Sequence, residues 1–159
     1  MEHGEVKTPI FLWLMKDIPE SLAMAALMMH MADCKSNALV IVKVGIVYAA
    51  AEVIAGSVPF TPGVHVIVLS MVLGILAIIL GGLEMKTALI LAAAACSILI
   101  LADYVLYSLL IGFELFTLEQ LLAETRLQIV FSYPHTVLIL ALTYILRKKE
   151  VNLIRVFKR

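Results

Sequence analysis

The chain has 159 residues, 63% of them hydrophobic and only 15% charged, with twelve basic residues against twelve acidic ones, and its mean hydropathy is +1.06. Ordinary soluble domains are about half apolar and about a quarter charged, and a fold of this length cannot hide so much apolar surface from water. A soluble globular domain is therefore excluded, an all-α integral membrane protein is expected, and the balanced net charge names no highly charged partner.

The N-terminal seventeen residues carry Glu2, Glu5 and Asp17, and the apolar run 10–15 is too short for a signal-peptide core. Trp13 and Lys16 in the stretch 10–16 suit an interfacial anchor. Pro19 suits a first helical turn and opens a weak apolar segment over 19–33. At 1.5 Å per residue this segment covers about 22 Å, short of a ~30 Å hydrocarbon core. Four stronger spans follow at 37–55, 63–83, 87–111 and 127–146. Ser57-Val-Pro-Phe-Thr-Pro-Gly63 and Gly81-Gly-Leu-Glu-Met-Lys86 read as turns between them. The segment 112–126 holds Glu114, Glu119 and Glu124, and Thr117-Leu-Glu-Gln120 resembles the capped start of a short amphipathic helix.

The expected architecture is a polytopic helical bundle of about five spans, the first one short. It forms one domain over 1–149, with a short basic tail over 150–159. Lys35, Lys86, Arg147, Lys148, Lys149, Arg155, Lys158 and Arg159 then share one side, which puts the C-terminus inside and the N-terminus outside. If the short first segment does not cross, only the N-terminus changes side. The tail interleaves Val151, Leu153, Ile154, Val156 and Phe157 with its basic residues. It reads either as an amphipathic helix on anionic lipid or as an ordinary positive-inside stop signal. A tail of this size beneath a membrane is not a nucleic-acid site.

Ionisable residues within spans cost about 2.5–3.5 kcal/mol each by insertion scales and are expected to face other helices or water. Asp103 lies about 24 Å from the cytoplasmic start of its span and Glu52 about 22 Å from that of its own, so both occupy the outer third. His65 opens its span on that side, and His135, after Pro134, lies about 13 Å down the last span. Tyr48, four residues before Glu52, shares its face, and Tyr104, Tyr107 and Tyr133 stand near the same level. The expected ligand-binding group is therefore Glu52, His65, Asp103, His135, Tyr48 and Tyr107, lining an outward-open polar pocket. Mutual pairing, pairing with backbone freed at Pro134 and interfacial hydration are the structural alternatives. Lys43 is expected to snorkel to the inner face, and His30 to be solvated or satisfied locally.

Ala88, Ala92 and Cys96 on one span, and Gly74, Ala77 and Gly81 on another, form small-residue stripes that let helices approach closely. They are compatible with a homodimer without specifying one. Cys34 and Cys96 have no CxxC or metal-ligand spacing and read as small apolar filler. Catalytic and phosphate-binding signatures are absent from the sequence, so no enzyme, cofactor or metal is expected.

The order Ile18-Pro-Glu-Ser21, Lys35, Ser57-Val-Pro-Phe-Thr-Pro-Gly-Val-His-Val-Ile-Val-Leu69, an acid late in the fourth span, Leu118-Glu-Gln-Leu-Leu122 and the Phe131–Lys149 run FSYPHTVLILALTYILRKK resembles a known pattern. It is similar to the multi-pass N-terminal membrane domain of GHKL-type sensor histidine kinases of Gram-positive bacteria, and the likeness covers nearly the whole chain. Asp103 stands where that pattern usually has glutamate, and Glu52 where it often has a basic residue. The resemblance implies a sensory or regulatory module in a bacterial plasma membrane. With only about a dozen residues after the last span, the module is expected to lack the kinase part and to act through a membrane or cytoplasmic signalling partner. The alternatives are a small transporter or substrate-capturing subunit of an energy-coupling transporter, and a ligand-free structural or assembly subunit.

Overall fold

The computed structural model describes residues 13–32, 37–59, 61–113 and 125–149. The 114–124 stretch, with its expected capped helix and acidic residues, lies outside the described residues, as do Cys34, Lys35 and the tail from 150 onward. Among the described residues every regular element is helical. A π-helical lead-in, Trp13–Asp17, runs into α1 (Ile18–Met31). Then come α2 (Ala38–Gly56), α3 (Pro62–Ile79), α4 (Met85–Gly112) and α5 (Thr125–Lys148).

Local chemistry explains the boundaries. Pro19 has no N–H to return to the preceding turn, and the wider π turn sits directly before it. Asn37 caps α2, its side chain accepting from Leu39 N–H at 3.2 Å. Pro62 opens α3 at a position that needs no donor. The third expected span ends four residues early, at Ile79, because Gly82 takes a left-handed φ of 67° and turns the chain toward α4. Helix α5 continues through Pro134, which leaves the carbonyl at 130 without its usual helical donor.

The weakest expected span is the centre of the structure. Ala23, Met24, Ala25, Leu27, Met28 and Met31 of α1 are fully buried, and α1 packs against α2, α4 and α5. A helix buried on all sides needs no polar face. Its small alanines admit close neighbours, while its flexible methionines fill the remaining gaps. The lead-in makes the helical element continuous from Trp13 to Met31, longer than the 19–33 segment.

The outer helices have the reverse pattern. Helices α2 and α4 are long and apolar enough to cross a membrane, yet only 28% and 22% of their most apolar windows are buried. Gly63–Ile79 is a shorter apolar helix. Ile46, Val47, Ile54, Ile67, Met71, Ile75, Leu101 and Val105 are exposed. The hydroxyls of Ser57, Ser70, Ser97 and Thr143 bond carbonyls three or four residues back on their own helices, so they need no solvent partner.

Small residues set the closest crossings. A Cβ on Gly74 would meet Leu89 at 3.0 Å and Ala92 at 3.5 Å, so the α3 stripe packs onto the small face of α4. A Cβ on Gly45 would lie 2.9 Å from the Cα of Leu22, where α2 crosses α1. Gly45→Ala should therefore cost about 1–3 kcal/mol through forced helix displacement. Gly63→Ala, with open space around it, should be near neutral; thermal unfolding of both variants in detergent checks the contrast.

Candidate functional site

Four helices and the lead-in converge on one partly open cavity of about 350 Å³. Each wall follows helical spacing. Tyr48, Glu52 and Gly56 come from α2 at intervals of four; His65, Val66 and Leu69 come from α3; Cys96, Leu99, Ile100 and Asp103 come from α4. Lys16, Asp17 and Glu20 complete the lining from the lead-in and the start of α1. Aliphatic side chains, a buried tyrosine and a thiol thus share the lining with carboxylates and one ammonium group.

Two polar linkages tie the helices together beside this cavity. Ser21, fully buried, donates from its hydroxyl to Glu52 Oε2 at 2.5 Å and joins α1 to α2. Its neighbour Glu20 lies about 100° around the helix and reaches the other way. Glu20 Oε2 lies 3.2 Å from His135 Nε2 on α5, and His135 Nδ1 lies 2.9 Å from Asp103 Oδ1 on α4. The imidazole is 6% exposed, Glu20 13% and Asp103 34%, so this bridge runs from the packed interior toward the cavity. Asp103 Oδ1 and His135 Nε2 have no aligned hydrogen bond among the described residues, so proximity of charge is what the geometry supplies. At the mouth, desolvation raises the Asp17 carboxyl above its ordinary range, while adjacent Lys16 draws it back.

The residues proposed from the sequence divide clearly. Tyr48, Glu52, His65 and Asp103 line the cavity. His135 lies behind Asp103, bound to it and to Glu20. Tyr107 continues the Asp103 face by one turn, is 39% exposed and is not among the residues lining the cavity. Tyr104 and Tyr133 are likewise exposed, and the Tyr133 hydroxyl approaches Met15 Sδ at 3.9 Å. His30 donates from Nδ1 to the Ala26 carbonyl at 2.8 Å, a local satisfaction. Lys43 is exposed on α2.

Sequence reasoning missed Lys16, Asp17, Glu20 and Ser21. The readable signal was the lower hydropathy of the first segment together with the spacing of Asp17, which shares a helix side with Glu20 three residues on and with Ser21 four residues on. Among the described residues no group of three or more His, Cys, Asp or Glu is arranged to hold a metal ion. No family model, curated protein or solved structure matches this chain.

The Ser21–Glu52 contact yields a direct test. Ser21→Ala leaves the buried Glu52 oxygen without its donor and should lower stability by about 1–3 kcal/mol. Glu52→Gln placed in that background should recover part of the loss, and a double-mutant thermal or denaturant cycle measures the coupling.

Proposed function

We propose that this chain is a multi-pass membrane protein of five spans that works as a sensory or regulatory module, receiving a small polar solute in the cavity formed by α1 to α4. The observation that carries this reading is the cavity itself: its charged and hydrogen-bonding groups come from separate helices and gather at one end of an otherwise apolar bundle. Pockets that combine apolar walls with a few convergent polar groups are the usual form of small-molecule sites. Asp17, Glu20, Glu52 and Asp103 outnumber Lys16 in the lining, which favours a solute with positive charge or several hydrogen-bond donors.

The orientation proposed is N-terminus outside and C-terminus inside, in a bacterial plasma membrane. Arg147, Lys148 and Lys149 end α5, and Lys86 opens α4 well away from Asp103, so positive charge concentrates opposite the cavity. In this reading an external solute biases the packing of α5, and a partner reads the change at the cytoplasmic end. The resemblance to the membrane domain of sensor histidine kinases supports the assignment. A ligand shifts such an equilibrium only by its difference in affinity for two states, so solute contacts must change when α5 moves.

The test uses the full chain in lipid nanodiscs. Native mass spectrometry for a retained small molecule is combined with a thermal-shift screen of small organic cations and matched neutral analogues. A binder is expected, and Leu99→Trp, which fills the cavity, should weaken it at least tenfold without abolishing folding. Absence of any binder, or one unaffected by Leu99→Trp, sinks the pocket assignment. Accumulation of that solute inside protein-loaded vesicles would instead identify a transport subunit.

A further inference from the structure

A neutral imidazole has one N–H donor and one lone pair, whereas imidazolium has donors on both nitrogens. His135 has a carboxylate oxygen close to each ring nitrogen, 2.9 Å at Nδ1 and 3.2 Å at Nε2. In the fully deprotonated arrangement two carboxylates would share an uncharged imidazole that has one N–H to offer, in a place where the imidazole is almost wholly removed from water. Neither buried atom of the pair Asp103 Oδ1 and His135 Nε2 has an aligned hydrogen bond among the described residues, so directional bonding does not hold the three groups together. Attraction between opposite charges does not require that alignment.

We infer that Glu20, His135 and Asp103 form a proton-binding site in which His135 is held as imidazolium between two carboxylates, and that this proton latches α5 onto α1 and α4. With the proton bound, the three groups carry a net charge of −1. When it leaves to water they carry −2, and one contact becomes repulsive. The groups facing this site from the packed elements are Glu20 on α1, Asp103 and Tyr107 on α4, and Lys16 and Asp17 on the lead-in. Tyr133 on α5 itself turns toward Met15. Lys16 and His65 are the basic side chains of the cavity lining, and His135 is the basic side chain that contacts both Glu20 and Asp103. On the orientation proposed above, external pH thereby acts on the seating of α5 even with no solute in the cavity.

The sign follows directly. A proton bound more tightly in the folded state than in the unfolded one contributes stability at low pH, and that contribution is lost as pH rises past the point where the folded site releases it. Nitrogen-15 NMR of histidine-labelled full-length protein in nanodiscs, with His3, His30 and His65 replaced by Gln, reads His135 alone. At pH 7.5, where a free imidazole of ordinary pKa about 6.5 is mostly neutral, both ring nitrogens should be protonated. Asp103→Asn, whose amide can donate to an imidazole nitrogen, should return one nitrogen to the unprotonated form; Glu20→Gln should do the same. An unprotonated ring nitrogen in the otherwise native site at pH 7.5 overturns the inference, as does imidazolium that persists unchanged in both amide variants. A second readout uses the native histidines: thermal midpoints from pH 6.5 to 9.5 should fall for the native chain and fall distinctly less for Asp103→Asn. Parallel curves also overturn it.

Discussion

The cost of placing carboxylates inside an apolar helical bundle governs this molecule. Charged groups removed from water require opposite charge or several hydrogen bonds, and few such partners exist in a chain that is 15% charged. The solution is to bring those groups to one place. Glu20 and Asp103 meet across His135, and Glu52 receives the Ser21 hydroxyl. Every one of these contacts joins two helices, so the polar chemistry that is expensive in this interior also constrains the angular position of α1, α2, α4 and α5 about their axes.

That constraint explains why a helix carrying Glu20 and Ser21 occupies the centre. Glu20 and Ser21 need protein partners, which a helix surrounded by other helices supplies. Wrapped by α2, α4 and α5, it delivers Glu20 to one neighbour and Ser21 to another. The more apolar α2 and α4 can leave large side chains outward because they present their few polar groups to the cavity. The close crossing of Gly45 over Leu22 joins the same two helices that the short Ser21 side chain links to Glu52.

The same arrangement divides the polar groups into two kinds. His135 and Ser21 are buried and act between helices, whereas Asp103 is both a partner of His135 and a wall of the cavity. A solute that engages Asp103 would therefore compete with, or reinforce, the contact that holds α5. This provides a physical link from cavity to helix packing without a long chain of intermediates: one carboxylate belongs to both.

The sequence by itself determined the helical class, the positions of the apolar segments and the grouping of Glu52, His65, Asp103 and His135 at one end. Those features follow from composition, segment length and the 1.5 Å rise that converts residue number into depth. Tertiary structure alone decided that α1 is central, that Glu20 joins the polar group, and that His135 bridges two acids behind the cavity wall. Depth along a helix can be counted along the chain, but the choice of neighbour depends on how each helix is rotated and which faces pack. That choice emerges only when competing demands for burial and charge pairing are satisfied together.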